Sequence, residues 1–223
     1  MSNRLIRQQD LINSDILTTP LFMVGLGGIG SWTAISLAKM GFNNMILWDM
    51  DIVSEENFNN QFYSIKEINI PKTYCIYDRL NQFANINPEI RNLKWSKENS
   101  LPNQSVIISA VDNMTTRKEL FEEACLRKYD TRLFIDGRMG GHQIEVYTVN
   151  IYDRKAKENY AKSLWTESEA ANVPCTARAT MYNCLMIASF ISNNIRLGLE
   201  DKPYKPCIIF DMENISIYTP ESR

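Results

Sequence analysis

Residues 21–32 read LFMVGLGGIGSW. The apolar run Leu21 to Gly25 predicts a buried strand, and Ile29 to Met40 follows at helical spacing until Gly41 stops it. Between them stand Gly25, Gly27, Gly28 and Gly30. A strand that turns through glycines into a helix lets backbone N–H groups and the helix N-terminus approach a phosphate, because no side chain intervenes. The GxGGxG spacing alone is a weak signal, since a tight helix–strand packing turn has the same composition. Asn44 to Trp48 predicts a second strand, and Asp49 ends it about 20 residues beyond the turn, where a carboxylate can accept both ribose hydroxyl protons. A solvated loop acid is the alternative for Asp49. At this point a dehydrogenase using NAD and an enzyme using ATP in the same crevice both remain open.

Working outward, Lys72 to Ile86 predicts a helix, Val106 to Val111 a strand, Thr115 to Tyr129 a helix and Leu133 to Asp136 a strand. This alternation predicts an α/β fold: a Rossmann-like, mainly parallel sheet with helices on both faces. Gln143 to Ile151 alternates as a partly exposed strand, and a polar crossover spans Asp153 to Asn172. A long helix is expected from about Thr176 to Leu199, and two short strands around Glu213-Asn214 form a C-terminal antiparallel extension. No repeat or linker marks a boundary, so a single domain is expected, with a nucleotide-binding part over about 1–137 and a C-terminal extension over about 138–223.

The chain has 223 residues, 44% hydrophobic and 22% charged, with a formal charge of −2, which gives no electrostatic case for nucleic acid. Its five cysteines contain no CxxC pair, which argues against a disulfide framework and a structural zinc. The polar opening MSNRLIRQQDLINSD and the lack of a long apolar run lead to the expectation of a soluble, cytoplasmic protein with no membrane partner.

The run beginning at Asp49, DMDIVSEENFNNQFY, is too polar and too ordered in spacing for an ordinary dehydrogenase connection. Here the sequence resembles the ThiF/MoeB/HesA adenylyltransferases, bacterial relatives of ubiquitin-activating enzymes. Their pattern is a GxGGxG turn, DxDxVxxxNxxRQ, a PK pair and a later DN pair. This chain has GLGGIG, DMDIVSEENFNNQ, Pro71-Lys72 and Asp112-Asn113 in the same order, over roughly residues 5 to 200. The resemblance implies ATP with Mg²⁺ as cofactors, and activation of the C-terminal carboxylate of a small ubiquitin-like or sulfur-carrier protein as an acyl-adenylate. It further implies that Asp49 holds the ribose, Asn57 and Gln61 contact the nucleotide, Lys72 neutralises phosphate charge and Asp112 holds Mg²⁺. Asp51, Asn60 and Asn113 fall in the same nucleotide-binding set with Gly25, Gly27, Gly28 and Gly30. Asp112-Asn113 also suits a helix N-cap, Lys72 a solvated surface, and Arg117 either a family arginine or a surface ion pair.

One position departs from the pattern: Asn60 stands where the family has an arginine reaching the triphosphate, so a charge and a forked donor are missing. A catalytically weakened nucleotide-binding scaffold is therefore an alternative function, beside an NAD-linked oxidoreductase. Arg7 resembles a family arginine that enters the neighbouring subunit's site, which implies a homodimer; a solvated residue is the alternative. Cys175, in VPCTARATMYNC, matches a family cysteine that accepts the activated carboxyl, and Arg178 could favour its thiolate; a buried packing role is the alternative. Cys184 is expected in the core. Arg138 with Gly140-Gly141 is expected at the crevice end of a strand, as a bend or a contact for an extended tail. His142, the single histidine, is expected to be structural or tail-contacting, and the polar crossover with Trp165 to fold over that tail or form a surface helix.

Overall fold

The computed structural model describes residues 5–126, 130–164 and 180–220. The chain alternates between strand and helix as β1 (Leu21–Val24), α1 (Gly30–Met40), β2 (Met45–Trp48), α2 (Lys72–Ala84), β3 (Glu89–Arg91), β4 (Val106–Ser109) and α3 (Met114–Phe121). It continues through β5 (Leu133–Gly140), β6 (Gln143–Asn150), α4 (Arg154–Ala161), α5 (Met181–Leu199), β7 (Cys207–Asp211) and β8 (Ser216–Tyr218). The strands form one sheet in the order β3-β2-β1-β4-β5-β6-β7-β8. Pairing is parallel from β3 to β5 and antiparallel from β5 to β8.

Every residue of β1 and β4 is buried, the reason these segments read as continuous apolar runs and not as alternating ones. One face of the sheet packs Met23, Leu47, Ile108 and Ile135 against α1, α2 and α5 through Leu37, Ile76 and Ile191. The other face packs Phe22, Trp48, Ile107 and Phe134 against Leu120 and Phe121 near α3 and Tyr160 of α4. Helices on both faces and the antiparallel end agree with the expected fold class.

Three elements differ from the expectation. β5 runs on to Gly140 and pairs through its whole length with β6, making a hairpin whose turn holds Gly141 and His142. β3, three residues with its ends exposed, is too short to leave a periodic signature. α4 occupies the first part of the polar crossover, capped by Asp153, whose side chain accepts from Ala156 N at 3.1 Å, and it buries only Tyr160. α5 is described from Met181, so the expected start near Thr176 lies outside the described residues. Among the described residues no helix is long and apolar enough to cross a membrane.

Candidate functional site

β1 lies between β2 and β4, so the chain leaves its carboxyl end in one direction and returns on the other side, the arrangement that opens a ligand crevice in parallel α/β sheets. The glycine turn follows directly. At Gly25, with φ at +93°, a Cβ would lie 2.4 Å from the Ala110 carbonyl oxygen, so the loops after β1 and β4 are in contact. A Cβ on Gly27 would meet nothing nearer than Gln61 Nε2 at 4.0 Å; this residue borders open space. Gly28 is backed by Cys184 Sγ of α5, 3.0 Å from where its Cβ would be.

Asp49 braces this turn. Its Oδ2 accepts from Leu26 N–H at 2.6 Å and its Oδ1 from Asp51 N–H at 2.7 Å. Burial raises the Asp49 carboxyl above its ordinary value, opposed by the Lys72 charge and by those two N–H donors. Lys72 begins α2 with a side chain 7% exposed, and its Nζ lies 2.9 Å from Asp51 Oδ2, whose side chain is 54% exposed. Asp51 thus serves as the counter-ion of Lys72.

The loop from Ser54 to Tyr63 closes over the turn. Tyr63 donates its hydroxyl to Leu26 O at 2.6 Å, Phe62 N–H donates to Ser31 Oγ at 3.0 Å, and Trp32 Nε1 donates to Asn60 O at 3.1 Å. Asn57 is buried, and its Oδ1 accepts from Ser54 N at 2.9 Å and Ser54 Oγ at 3.2 Å, so its described bonds hold the loop. Gln61 Oε1 is buried without a hydrogen-bond partner beside Gly27. An open space at a glycine and a helix N-terminus fit a bound phosphate group; the unsatisfied Oε1 is an acceptor and suits a hydroxyl or N–H donor instead.

Asp112 is exposed on the β4–α3 loop, two residues past the Ala110 that touches Gly25, while Asn113 caps α3 by accepting from Thr116 N at 2.9 Å. The loops carrying Asp112, Gly27, Asp49 and Lys72 therefore adjoin one another. A separate concavity of about 620 Å³, bordered by Gln8, Met40, Ser192 and Arg196, contains none of these residues. Among the described residues no three His, Cys, Asp or Glu side chains cluster as a metal site.

The remaining candidate residues fall in several places. Arg117 is no surface arginine: its Nε lies 2.7 Å from Asp136 Oδ1, with side chains 7% and 0% exposed. Arg138 is buried, its Nε 2.7 Å from Asp136 Oδ2. Asp136 ends the strand predicted over Leu133 to Asp136; an acid directly after the apolar run Leu133 to Ile135, in a strand buried on both faces, is the signal of a cationic partner nearby. Cys184 is core, its thiol pushed up by burial to about 12. Gly140-Gly141 form part of a hairpin turn, and exposed His142 meets the Tyr182 hydroxyl at 2.7 Å. Arg7 is exposed on an N-terminal turn. Cys175, Arg178 and Trp165 lie outside the described residues.

Comparison with known proteins agrees with this geometry. The pattern described as the ThiF family matches residues 4–202. Sulfur carrier protein ThiS adenylyltransferase of Escherichia coli (strain K12) is 30% identical over 150 residues, covering 63% of this chain and 56% of the relative. The tRNA threonylcarbamoyladenosine dehydratase of the same organism is 31% identical over 140 residues, covering 59% and 50%. The aligned part is thus about half the length of these relatives. Among solved structures, E. coli MccB with AMPCPP and MccA superposes with a TM-score of 0.82 at 15% identity, over 99% of this chain and 72% of the other, a likeness of fold. With the glycine turn, the acidic brace, the lysine at the head of α2 and the Asp-Asn loop arranged around one sheet edge, and the family pattern spanning nearly the whole chain, the protein belongs to the ThiF family.

Proposed function

We propose that this chain is an ATP- and Mg²⁺-dependent adenylyltransferase domain whose substrate is the C-terminal carboxylate of a small ubiquitin-like or sulfur-carrier protein. The observation that carries the reading is the open space at Gly27, with Lys72 held on one side through Asp51 and the Asp112 loop touching Gly25 on the other. ATP, when bound, supplies the adenylyl group and pyrophosphate leaves.

The chain's own residues bind and orient. The turn amides and the N-terminus of α1 receive phosphate oxygens, and Lys72 lowers the repulsion among them. Asp49 holds the turn through Leu26 N–H and keeps lone pairs for a ribose, while Gln61 Oε1, left unsatisfied, offers an acceptor to a hydroxyl or N–H of the nucleotide. Asp112 would hold Mg²⁺ as a single carboxylate, with phosphate and water oxygens completing the shell, the usual mode for this hard cation. Arg7 reaches a neighbouring site in a homodimer, and Cys175 is the candidate acceptor for a later transfer. The relatives above are named for a sulfur carrier and for a tRNA modification; a formal charge of −2 favours a protein tail over an RNA polyanion.

The test is thermal stabilisation by ATP with Mg²⁺ against NAD, followed by pyrophosphate exchange into ATP with candidate carriers. Stabilisation by NAD alone, or full exchange in Asp112→Ala, would overturn the proposal. Asn60 favours a second reading, a weakened nucleotide-binding scaffold, because a neutral amide stands where the family pattern has a guanidinium. Exchange that appears only in Asn60→Arg would select it.

A further inference from the structure

We propose that Asp136 is a positioning residue for Asp112 and that, through the two arginines it binds, it ties the β4–α3 loop to the end of α4. The assignment rests on the nucleotide reading above; the physical linkage does not.

Asp136 is fully buried in β5, in parallel register with Ser109, the last residue of β4. Its two oxygens are used separately. Oδ1 accepts from Arg117 Nε at 2.7 Å; Oδ2 accepts from Arg138 Nε at 2.7 Å and from the Tyr160 hydroxyl at 3.0 Å. The other arm of Arg117 donates Nη2 to Val111 O at 2.7 Å, the carbonyl immediately before Asp112. Asn113 immediately follows Asp112 and is itself fixed as the cap of α3. The backbone of Asp112 is therefore held from both sides, on one of them by Asp136 through Arg117.

The arms of Arg138 run the other way. Nη1 donates to Ser163 O at 2.9 Å and Nη2 to Ser163 Oγ at 3.0 Å, just past α4. The guanidinium lies 4.4 Å from the Tyr147 ring centroid and 5.6 Å from that of Tyr160. A continuous path of hydrogen bonds, buried at its centre on Asp136, thus joins Asp112's loop to the end of α4. Three apolar side chains could fill this volume without the desolvation that two guanidiniums and a carboxylate incur, so such a cluster is a poor source of stability. It is a good source of geometry, because a carboxylate with two directional acceptors fixes two forked donors at once. An asparagine in its place has one acceptor oxygen and can satisfy only one of them.

Hydrogen exchange on the unliganded full chain tests the linkage, and calorimetric titration of ATP with and without Mg²⁺ tests the positioning. Asp136→Asn and Arg117→Lys are expected to speed exchange of the Asp112–Thr116 amides by about 10-fold or more. Tyr160→Phe, altered only on the α4 side, should speed exchange in the same loop, a response that a merely local packing role would not produce. In these variants the gain in ATP affinity brought by Mg²⁺ should shrink by about 10-fold, with binding of ATP alone retained. Wild-type exchange in that loop for both Arg117→Lys and Tyr160→Phe would overturn the linkage, even if Asp136→Asn fails to fold. An unchanged Mg²⁺ effect in all three would overturn the positioning role. Absence of ATP binding by the wild type would remove the nucleotide reading and the positioning role with it, while the exchange arm would still decide the linkage.

Discussion

Gly25 and Gly27 stand two residues apart and serve different ends. A methyl group on Gly25 would overlap the Ala110 carbonyl at 2.4 Å on a backbone with φ of +93°, so Gly25→Ala is expected to cost about 3 kcal/mol or more of stability, measured by urea unfolding. A methyl on Gly27 enters open space instead. Gly27→Ala should fold with a near-normal unfolding midpoint and lose about 10- to 100-fold in ATP affinity by calorimetry, the effect of crowding a phosphate that sits close to the backbone. If both variants behaved alike, the division of the turn into a packing part and a ligand part would be wrong. Lys72 belongs to the same scale. Its charge is already buried and already oriented by Asp51, so Lys72→Met should weaken ATP binding by about 10- to 100-fold, while Asp51→Asn, which frees the ammonium, should weaken it less.

The loop from Ser54 to Tyr63 behaves as an element of its own, since its hydrogen bonds run to the glycine turn and α1 as well as within itself. Tyr63→Phe leaves Leu26 O without its donor in a buried place, and is expected to cost about 1 to 2 kcal/mol, read as a shift in urea midpoint with the slope unchanged. At the other side of the turn, α5 presents Cys184 to Gly28. Burial raises that thiol from an ordinary 9.0 to about 12, so the neutral form is the one compatible with the fold. Its contribution is fully present below the unfolded value and is lost as pH rises through the folded one. Cys184 should therefore resist maleimide labelling of the native protein at neutral pH. Melting temperature should fall between pH 9.0 and about 12, less steeply in Cys184→Ala. Prompt labelling of Cys184 without unfolding would show that α5 does not seal the turn.

For the whole molecule, the order of elements was legible because strands covered on both faces carry unbroken apolar runs, as in Leu21 to Val24 and Val106 to Ser109. The turn, the acid ending β2, Lys72 behind Pro71 and the Asp-Asn pair were legible for a related reason: each is a local signal, written within a few residues of itself. β3 and α4 escaped because one has three residues and the other buries a single side chain, too little for any period to show. The sequence by itself determined the α/β class, the strand–turn–helix at the site and the ring of candidate residues along one sheet edge. Only the tertiary structure decided that Asp49 braces the turn, that Asp51 holds Lys72, and that Asp136 binds both Arg117 and Arg138. The physical reason is that an ionised side chain chooses its partner by distance and burial after the strands have paired. Lys72 with Asp51 and Arg117 with Asp136 join residues 21 and 19 apart along the chain and leave no spacing by which to read them in advance.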